Sequence, residues 1–262
     1  MTPPMSKPLA DCAVVITGGT SGVGLAAAHQ LAEAGVPRIA ILGRNAERGE
    51  AARAAVLDAH PKTAVHFVAA DANDPAQAVR ATQDAHDLLD GLDVLVNCTA
   101  AAYMPDLLKN TPIEDMAAAL TQQALAPMHM SRAALPFLVA QQSGVILNVA
   151  SDAAKVPTPG ESVVGAAMAA IVMFSRTLAM EAKRDGIRVN AITPSLILGT
   201  ITGDRAMSGG FSKKLFEKAT TMAHLGVAEV DDLAALIVFL AGPGAARITG
   251  QVISVNGGIS AG

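Results

Sequence analysis

Cysteine is scarce. Two residues, Cys12 and Cys98, in a chain of 262 are too few for a disulfide framework, which suits a reducing, cytosolic setting. Basic residues are not in excess. The formal net charge of -4 provides no electrostatic footprint for nucleic acid. The N-terminal stretch MTPPMSKPLAD has no apolar segment of signal-peptide type, so residues 1–11 are expected as a short flexible lead-in. Tyrosine occurs once, at Tyr103, and tryptophan not at all. Any chemistry that needs a phenol therefore has one residue to draw on. A membrane span is raised only by residues 162–180, where Arg176, Ser162 and Ser175 weigh against it. A helix buried between a sheet and another subunit accounts better for that run, and no membrane association is expected.

Apolar residues, by contrast, make up 51% of the chain, enough for a large core. Short continuous apolar runs alternate with stretches of helical spacing. Strands are expected at 12–17, 38–42, 64–70, 93–97, 144–150, 187–193 and 251–255. Helices are expected after Gly24 and at 46–58, 75–89, 114–140, 161–183 and 230–241, with an irregular stretch at 199–225. Strands that are apolar throughout and separated by helices imply a parallel sheet covered on both faces. The fold class is therefore α/β, a Rossmann-type doubly wound sheet in a single domain over residues 12–262.

The first strand runs into TGGTSGVG, residues 17–24. Gly18, Gly22 and Gly24 allow a tight turn, close approach of backbone to a phosphate, and close packing of helix on strand. A helix beginning near Ser21 would aim free N–H groups and its positive dipole end at a pyrophosphate. No cluster in the sequence suggests a metal site.

The Thr-Gly-x-x-x-Gly-x-Gly pattern resembles that of the short-chain dehydrogenase/reductases. FVAADAND, SRAALPFL, RVNAITPS and ITGQVISVNGG extend the resemblance over nearly the whole chain, in the family's order. The resemblance implies a Rossmann fold, usually tetrameric, with two long helices at one subunit interface. It also implies cofactor contacts at Thr17, Gly18, Thr20, Ser21, Gly22, Val23, Gly24, Asp71, Ala72 and Asn97, with Asp71 facing the adenine. At the end of the second strand, where the family's NAD enzymes carry an acid, stand Gly43 and Arg44. An arginine fork suits a 2′-phosphate, so NADP is expected ahead of NAD, or no cofactor at all. Ala100 replaces a glycine of the family's Asn-Asn-Ala-Gly motif, and Ser195 replaces the glycine of its Pro-Gly motif.

The catalytic set departs further. The family places a serine after the fifth strand, a tyrosine thirteen residues on, a lysine four beyond that, and an asparagine on the central helix. Here these positions are Ser151, Val164, Met168 and Gln123, so one of the four residue types is kept. In the family the tyrosine exchanges a proton with the substrate oxygen, and the lysine lowers its pKa and holds the cofactor ribose. General acid–base assistance is worth about 10²- to 10⁴-fold, so ordinary turnover is not expected. Asp152, Lys155, Glu161, His129, His224 and Tyr103 are the candidates to stand in, although Lys155 reads more simply as a solvated loop charge. Lys213 and Lys214 read as a solvated helix start, after a hinge at Gly209 and Gly210.

Two function classes follow. One is a catalytically degenerate subunit that pairs through helices 114–140 and 161–183 with a homologous active dehydrogenase, as in the alcohol dehydrogenases of benzylsuccinate β-oxidation, or with copies of itself. The other is an NADP-dependent ketoreductase with an atypical proton relay. An NADP-binding regulator without turnover is a third reading.

Overall fold

The computed structural model describes residues 7–261. Nine strands and eight helices follow one another in the expected alternation among these residues. The strands are β1 (Ala13–Thr17), β2 (Arg38–Gly43), β3 (Ala64–Ala69), β4 (Val94–Asn97), β5 (Gly144–Val149), β6 (Ile187–Pro194), β7 (Ile197–Leu198), β8 (Ala228–Glu229) and β9 (Val252–Val255). The helices are α1 (Gly22–Glu33), α2 (Ala46–Ala59), α3 (Pro75–Leu89), α4 (Met116–Ala140), α5 (Ser162–Ala182), α6 (Ile201–Met207), α7 (Gly210–Met222) and α8 (Val230–Ala241). Seven strands form one parallel sheet in the order β3-β2-β1-β4-β5-β6-β9, and β7 pairs with β8 beside it.

Alternate residues of each strand feed two cores. Val14, Ile16, Ile39, Ile41 and Val96 face α1 and α8, while Ala13, Val15, Ala40, Leu42 and Leu95 face the side of α3, α4 and α5. This two-sided burial explains why the strands carry apolar residues at every position and not at every second one. Local sequence sets the helix starts. Asp74 accepts from the N–H groups of Ala76 and Gln77 ahead of Pro75 at the first helical position, and Asn45 accepts from Arg48 N at 2.8 Å.

The order reverses at β1, because β2 and β3 lie to one side of it and β4, β5, β6 and β9 to the other. Ligands of open α/β sheets bind at such a switch point, beyond the carboxyl ends of the strands. A polar chain crosses those ends. Thr17 Oγ1 donates to Asn97 Oδ1 at 3.0 Å, Asn97 Nδ2 to Asn148 Oδ1 at 2.8 Å, and Asn148 Nδ2 to Ser175 Oγ of α5 at 2.8 Å. Ser175 Oγ in turn donates to the Ile171 carbonyl. All four side chains are buried.

Two expectations need correction. Residues 199–225 are mostly helical: Thr200 caps α6 by accepting from Gly203 N at 2.9 Å, and α7 follows at once. Gly209 and Gly210, with φ of 159° and 71°, form the break between these two helices. The lead-in is tied down where it is described, since Lys7 Nζ meets Asp93 Oδ1 at 2.7 Å and Leu9–Asp11 form a helical turn. Residues 1–6 of the expected lead-in lie outside the described residues. Finally, α5 with the turn after it is long and apolar enough by composition to cross a membrane, but it packs against α4 and β6, and Arg176 and Glu181 are exposed on it.

Asn148 is the test of the polar chain. Asn148→Ala takes the 2.8 Å acceptor from Asn97 Nδ2 and leaves it only a long 3.5 Å contact with Ser131 Oγ, and a poorly satisfied buried donor costs about 1–3 kcal/mol. The unfolding free energy from a urea titration should fall by that amount, seen as a lower midpoint with the slope unchanged, whereas a loss within error would mean that the chain adds nothing to stability.

Candidate functional site

The glycine turn between β1 and α1 is built as its sequence demands. A Cβ on Gly18 would lie 2.5 Å from the Cys98 carbonyl, one on Gly24 would lie 2.4 Å from the Gly18 carbonyl, and Gly22 holds φ at +52°. Only glycine meets all three conditions without strain. Ser21 precedes α1 in extended conformation and its side chain makes no capping bond. The N–H groups of the first turn, from Gly22, Val23 and Gly24, are thus left without a side-chain acceptor from their own cap. That is the arrangement an anionic diphosphate requires, so the turn fits a dinucleotide. The Thr200 methyl, 3.4 Å from the position of a Cβ on Gly22, shows that the start of α6 lies directly over the turn.

At the neighbouring strand end, Arg44 is 70% exposed and its Nη1 stands 3.9 Å from Asp71 Oδ2. Asp71 Oδ1 also accepts from Asn73 N at 3.0 Å. A second arginine, not singled out by the sequence, joins them: Arg48 Nε donates to Thr20 Oγ1 at 3.3 Å. Its signal was its place one turn into a helix capped by Asn45. At Thr17 and Asn97 only the backbone is left for the expected cofactor contact. Their side chains belong to the buried polar chain, and only their backbones adjoin the glycine turn. Ala72 is buried, and its carbonyl lies 3.2 Å from His129 Nδ1. Burial pushes the Cys98 thiol up to about 12, so it is no thiolate at neutral pH.

Two of the four tetrad positions, Val164 and Met168, lie at an apolar patch. Met168 belongs to a buried cluster with Ala124, Ala150, Ile171 and Ala191, and Val164, Met128 and Ala154 pack against it. Gln123 lies on α4, where Pro127 has no N–H to give to the Gln123 carbonyl one turn back. Ser151 occupies the end of β5 in extended conformation, and its Oγ accepts from Ala153 N at 3.2 Å. Gly165 of α5 approaches this loop so closely that a Cβ would lie 2.8 Å from the Ala153 carbonyl.

Lys155 is not a solvated loop charge. Its Nζ donates to Ser254 Oγ of β9 at 2.5 Å and stands 3.7 Å from Asp152 Oδ1, with both side chains largely covered. Asp152 is itself saturated by Ser254, Asn256 and Ser260. The pair therefore fastens the Ser151 loop to the C-terminal segment. Tyr103 points its hydroxyl toward Thr111 at 3.4 Å, and His224 is exposed. Glu161, just before α5, is different. Burial, aided by the charge of Asp152, holds its carboxyl above the usual range despite a hydrogen bond with Thr158. Lys213 pairs with Glu217 at 3.8 Å, and Lys214 is exposed, as a solvated helix start should be.

Known proteins share this architecture. The family described as enoyl-(acyl carrier protein) reductase matches residues 18–260. A 3-oxoacyl-(acyl-carrier-protein) reductase of Bos taurus is 32% identical over 249 residues, covering 95% of this chain and 98% of that protein. The 2,3-dihydroxy-2,3-dihydro-p-cumate dehydrogenase of Pseudomonas putida is 29% identical over 252 residues, covering 96% and 95%. Levodione reductase superposes with a TM-score of 0.88 at 25% identity over 95% of this chain and 97% of its own. A short-chain oxidoreductase of Pseudomonas aeruginosa PAO1, described as containing an atypical catalytic center, gives 0.87 at 27% identity over 98% and 100%. The doubly wound sheet, the glycine turn and these matches together assign the chain to the short-chain dehydrogenase/reductase family of oxidoreductases.

Proposed function

We propose that this chain is a catalytically degenerate member of its family that keeps a dinucleotide cradle and works as a subunit beside an active, homologous dehydrogenase in the cytoplasm. The observation that carries this reading is the apolar packing of Val164 and Met168. An isopropyl group transfers no proton and a thioether carries no charge, so the positions that face the reacting carbonyl in the family supply neither acid nor cation. Exchanging a buried ionic group for well-packed apolar ones is commonly neutral or stabilising, by roughly 1–4 kcal/mol. The fold therefore has no need of the lost pair.

Assembly through α4 and α5 fits the exposed surface of α5, on which Met173 is 60% and Met180 62% exposed beside the small residues Ala166 and Ala169. Small residues let a second helix come close, and long apolar ones then fill the contact. The occupant is a homologous active subunit, as in the benzylsuccinate alcohol dehydrogenases, or a second copy of this chain. For the cofactor, Arg44 and Arg48 beside the cradle favour NADP over NAD. Dinucleotide chemistry, when the cofactor is present, is hydride transfer; this chain's own part is to hold the diphosphate and the 2′-phosphate.

A second reading is favoured by Glu161. A carboxyl whose pKa burial raises, one residue before the start of α5, is a proton donor in principle, and it would make the chain an NADP-dependent reductase with an unusual relay. A regulator that binds NADP without turnover is the same cradle with neither partner nor relay.

Calorimetry should find NADP bound more tightly than NAD, and Arg44→Ala should reduce that preference by about tenfold, the worth of one charge-assisted contact. Equal affinities would remove the cofactor assignment. The isolated chain should reduce carbonyl substrates at least ~10²-fold more slowly than an intact relative, and the activity of a co-purifying homologous dehydrogenase should depend on it. An ordinary rate from the chain alone would end the subunit reading, and its loss in Glu161→Gln would establish the relay. Glu161 also has a signature in stability. A folded-state carboxyl raised above its unfolded value stabilises below the ordinary glutamate range and loses that contribution as pH rises through the raised value. The melting temperature of the wild type, taken relative to Glu161→Gln, should accordingly decline across that window, and a flat difference would mean that Glu161 ionises normally.

A further inference from the structure

At the opposite end of the sheet, beneath the amino ends of β1, β4, β5 and β6, lies a cavity of about 200 Å³. Its wall carries the cations Lys7, Lys183, Arg188 and Arg247 and a single carboxylate, Asp93. Asp93 is spent: it receives Lys7 Nζ at 2.7 Å and Ala13 N at 2.8 Å. The acid next along the turn from Lys183 and Arg184, Asp185, does not line the cavity and instead receives Gln142 Nε2 at 3.3 Å.

The four cations differ in what they have left to give. Arg188 is buried and directs Nη2 at the Leu240, Ala241 and Gly242 carbonyls and Nη1 at the Ile248 carbonyl. It closes the end of α8, and burial lowers it only to about 10, so it remains a fixed positive charge at neutral pH. Lys183 makes only a weak contact with the Met180 sulfur, at 3.8 Å, and Arg247 makes no hydrogen bond among the described residues. Both are exposed at the rim and have donors to spare. Charges held on a concave wall attract a counter-ion more strongly than the same charges spread over a flat surface.

We infer that this cavity is a binding site for a compact, multiply charged oxyanion of the phosphate or pyrophosphate type, held between Lys183 and Arg247 over the fixed charge of Arg188. Size argues against anything larger. At about 30 Å³ per water the cavity holds the equivalent of about seven waters, and drug-sized ligands occupy roughly 300–1,000 Å³. A dinucleotide does not fit. Arg247 supplies the planar fork that oxyanions favour, and Lys183 a point charge opposite it. The site is independent of the glycine turn, which lies at the other end of the strands, and of whether the chain turns over a substrate.

Titration of the full chain with sodium pyrophosphate and with inorganic phosphate, against sodium chloride at matched ionic strength, is the test. Pyrophosphate should raise the melting temperature, bind more tightly than phosphate, and shift the amide resonances of Gly144, Gly186 and Thr249. Lys183→Gln combined with Arg247→Gln should weaken binding at least tenfold, and both substitutions are at exposed positions that the fold does not depend on. Arg44→Ala, at the opposite end, should leave it unchanged. A response no greater than that to chloride would overturn the site, as would binding that survives the double substitution, or shifts confined to residues 18–24.

Discussion

Thr17, Asn97 and Asn148 stand side by side in register at the carboxyl ends of β1, β4 and β5, and hand a single direction of hydrogen bonding across the sheet to Ser175 on α5. Buried amides leave few alternatives: each donor must find its acceptor or forfeit its hydration. The chain of bonds therefore fixes how α5 sits relative to the glycine turn, and with it the location of everything α5 carries. Met168 and Val164 lie two and three turns before Ser175 on the same helix, so their apolar side chains are presented where the polar scaffold behind them aims. The scaffold behind these positions is a continuous hydrogen-bonded chain, while the side chains in front of it are apolar.

That contrast has an energetic basis. The polar chain is neutral, fully paired and inside the sheet, and losing any link would strand its neighbours. A lysine at the position of Met168 would instead be a charge among Ala124, Ala150 and Ile171, tolerable only with good partners. The fold does retain one largely covered ion pair close by, Asp152 with Lys155, and there every carboxylate contact is accounted for by Ser254, Asn256 and Ser260. The comparison separates polar groups that hold the architecture from those that only a reaction would require.

Much of this was legible from sequence, and for identifiable reasons. The strands are buried on both faces, so they show as unbroken apolar runs, and Pro75 with Asp74 marks the start of α3 to the residue. Gly18, Gly22 and Gly24 announced the turn because each is needed for a separate steric reason. What the sequence did not reveal depended on contacts between distant segments. Lys155 reads as a loop charge until Ser254, ninety-nine residues later, is brought beside it. Thr17 and Asn97 sit in cofactor motifs, yet their side chains turn inward because of neighbours on other strands. Residues 199–225 have few apolar residues in helical order, and the capping hydroxyl of Thr200 was their only strong helical signal. The basic cavity could not be anticipated at all, since Lys7, Lys183 and Arg247 come from three distant segments of the chain.

The tie between Asp152 and the last strand also bears on how the molecule is made. Its partners Ser254, Asn256 and Ser260 lie 102 to 108 residues further on, so they leave a ribosome well after the loop they fasten. Through most of synthesis the loop bearing Ser151 carries an acid whose acceptors are still unfilled, while the earlier βα units can already pack. This corner is consequently completed only once residues 254–260 have been made, and a change in that segment reaches the Ser151 loop directly through Asp152.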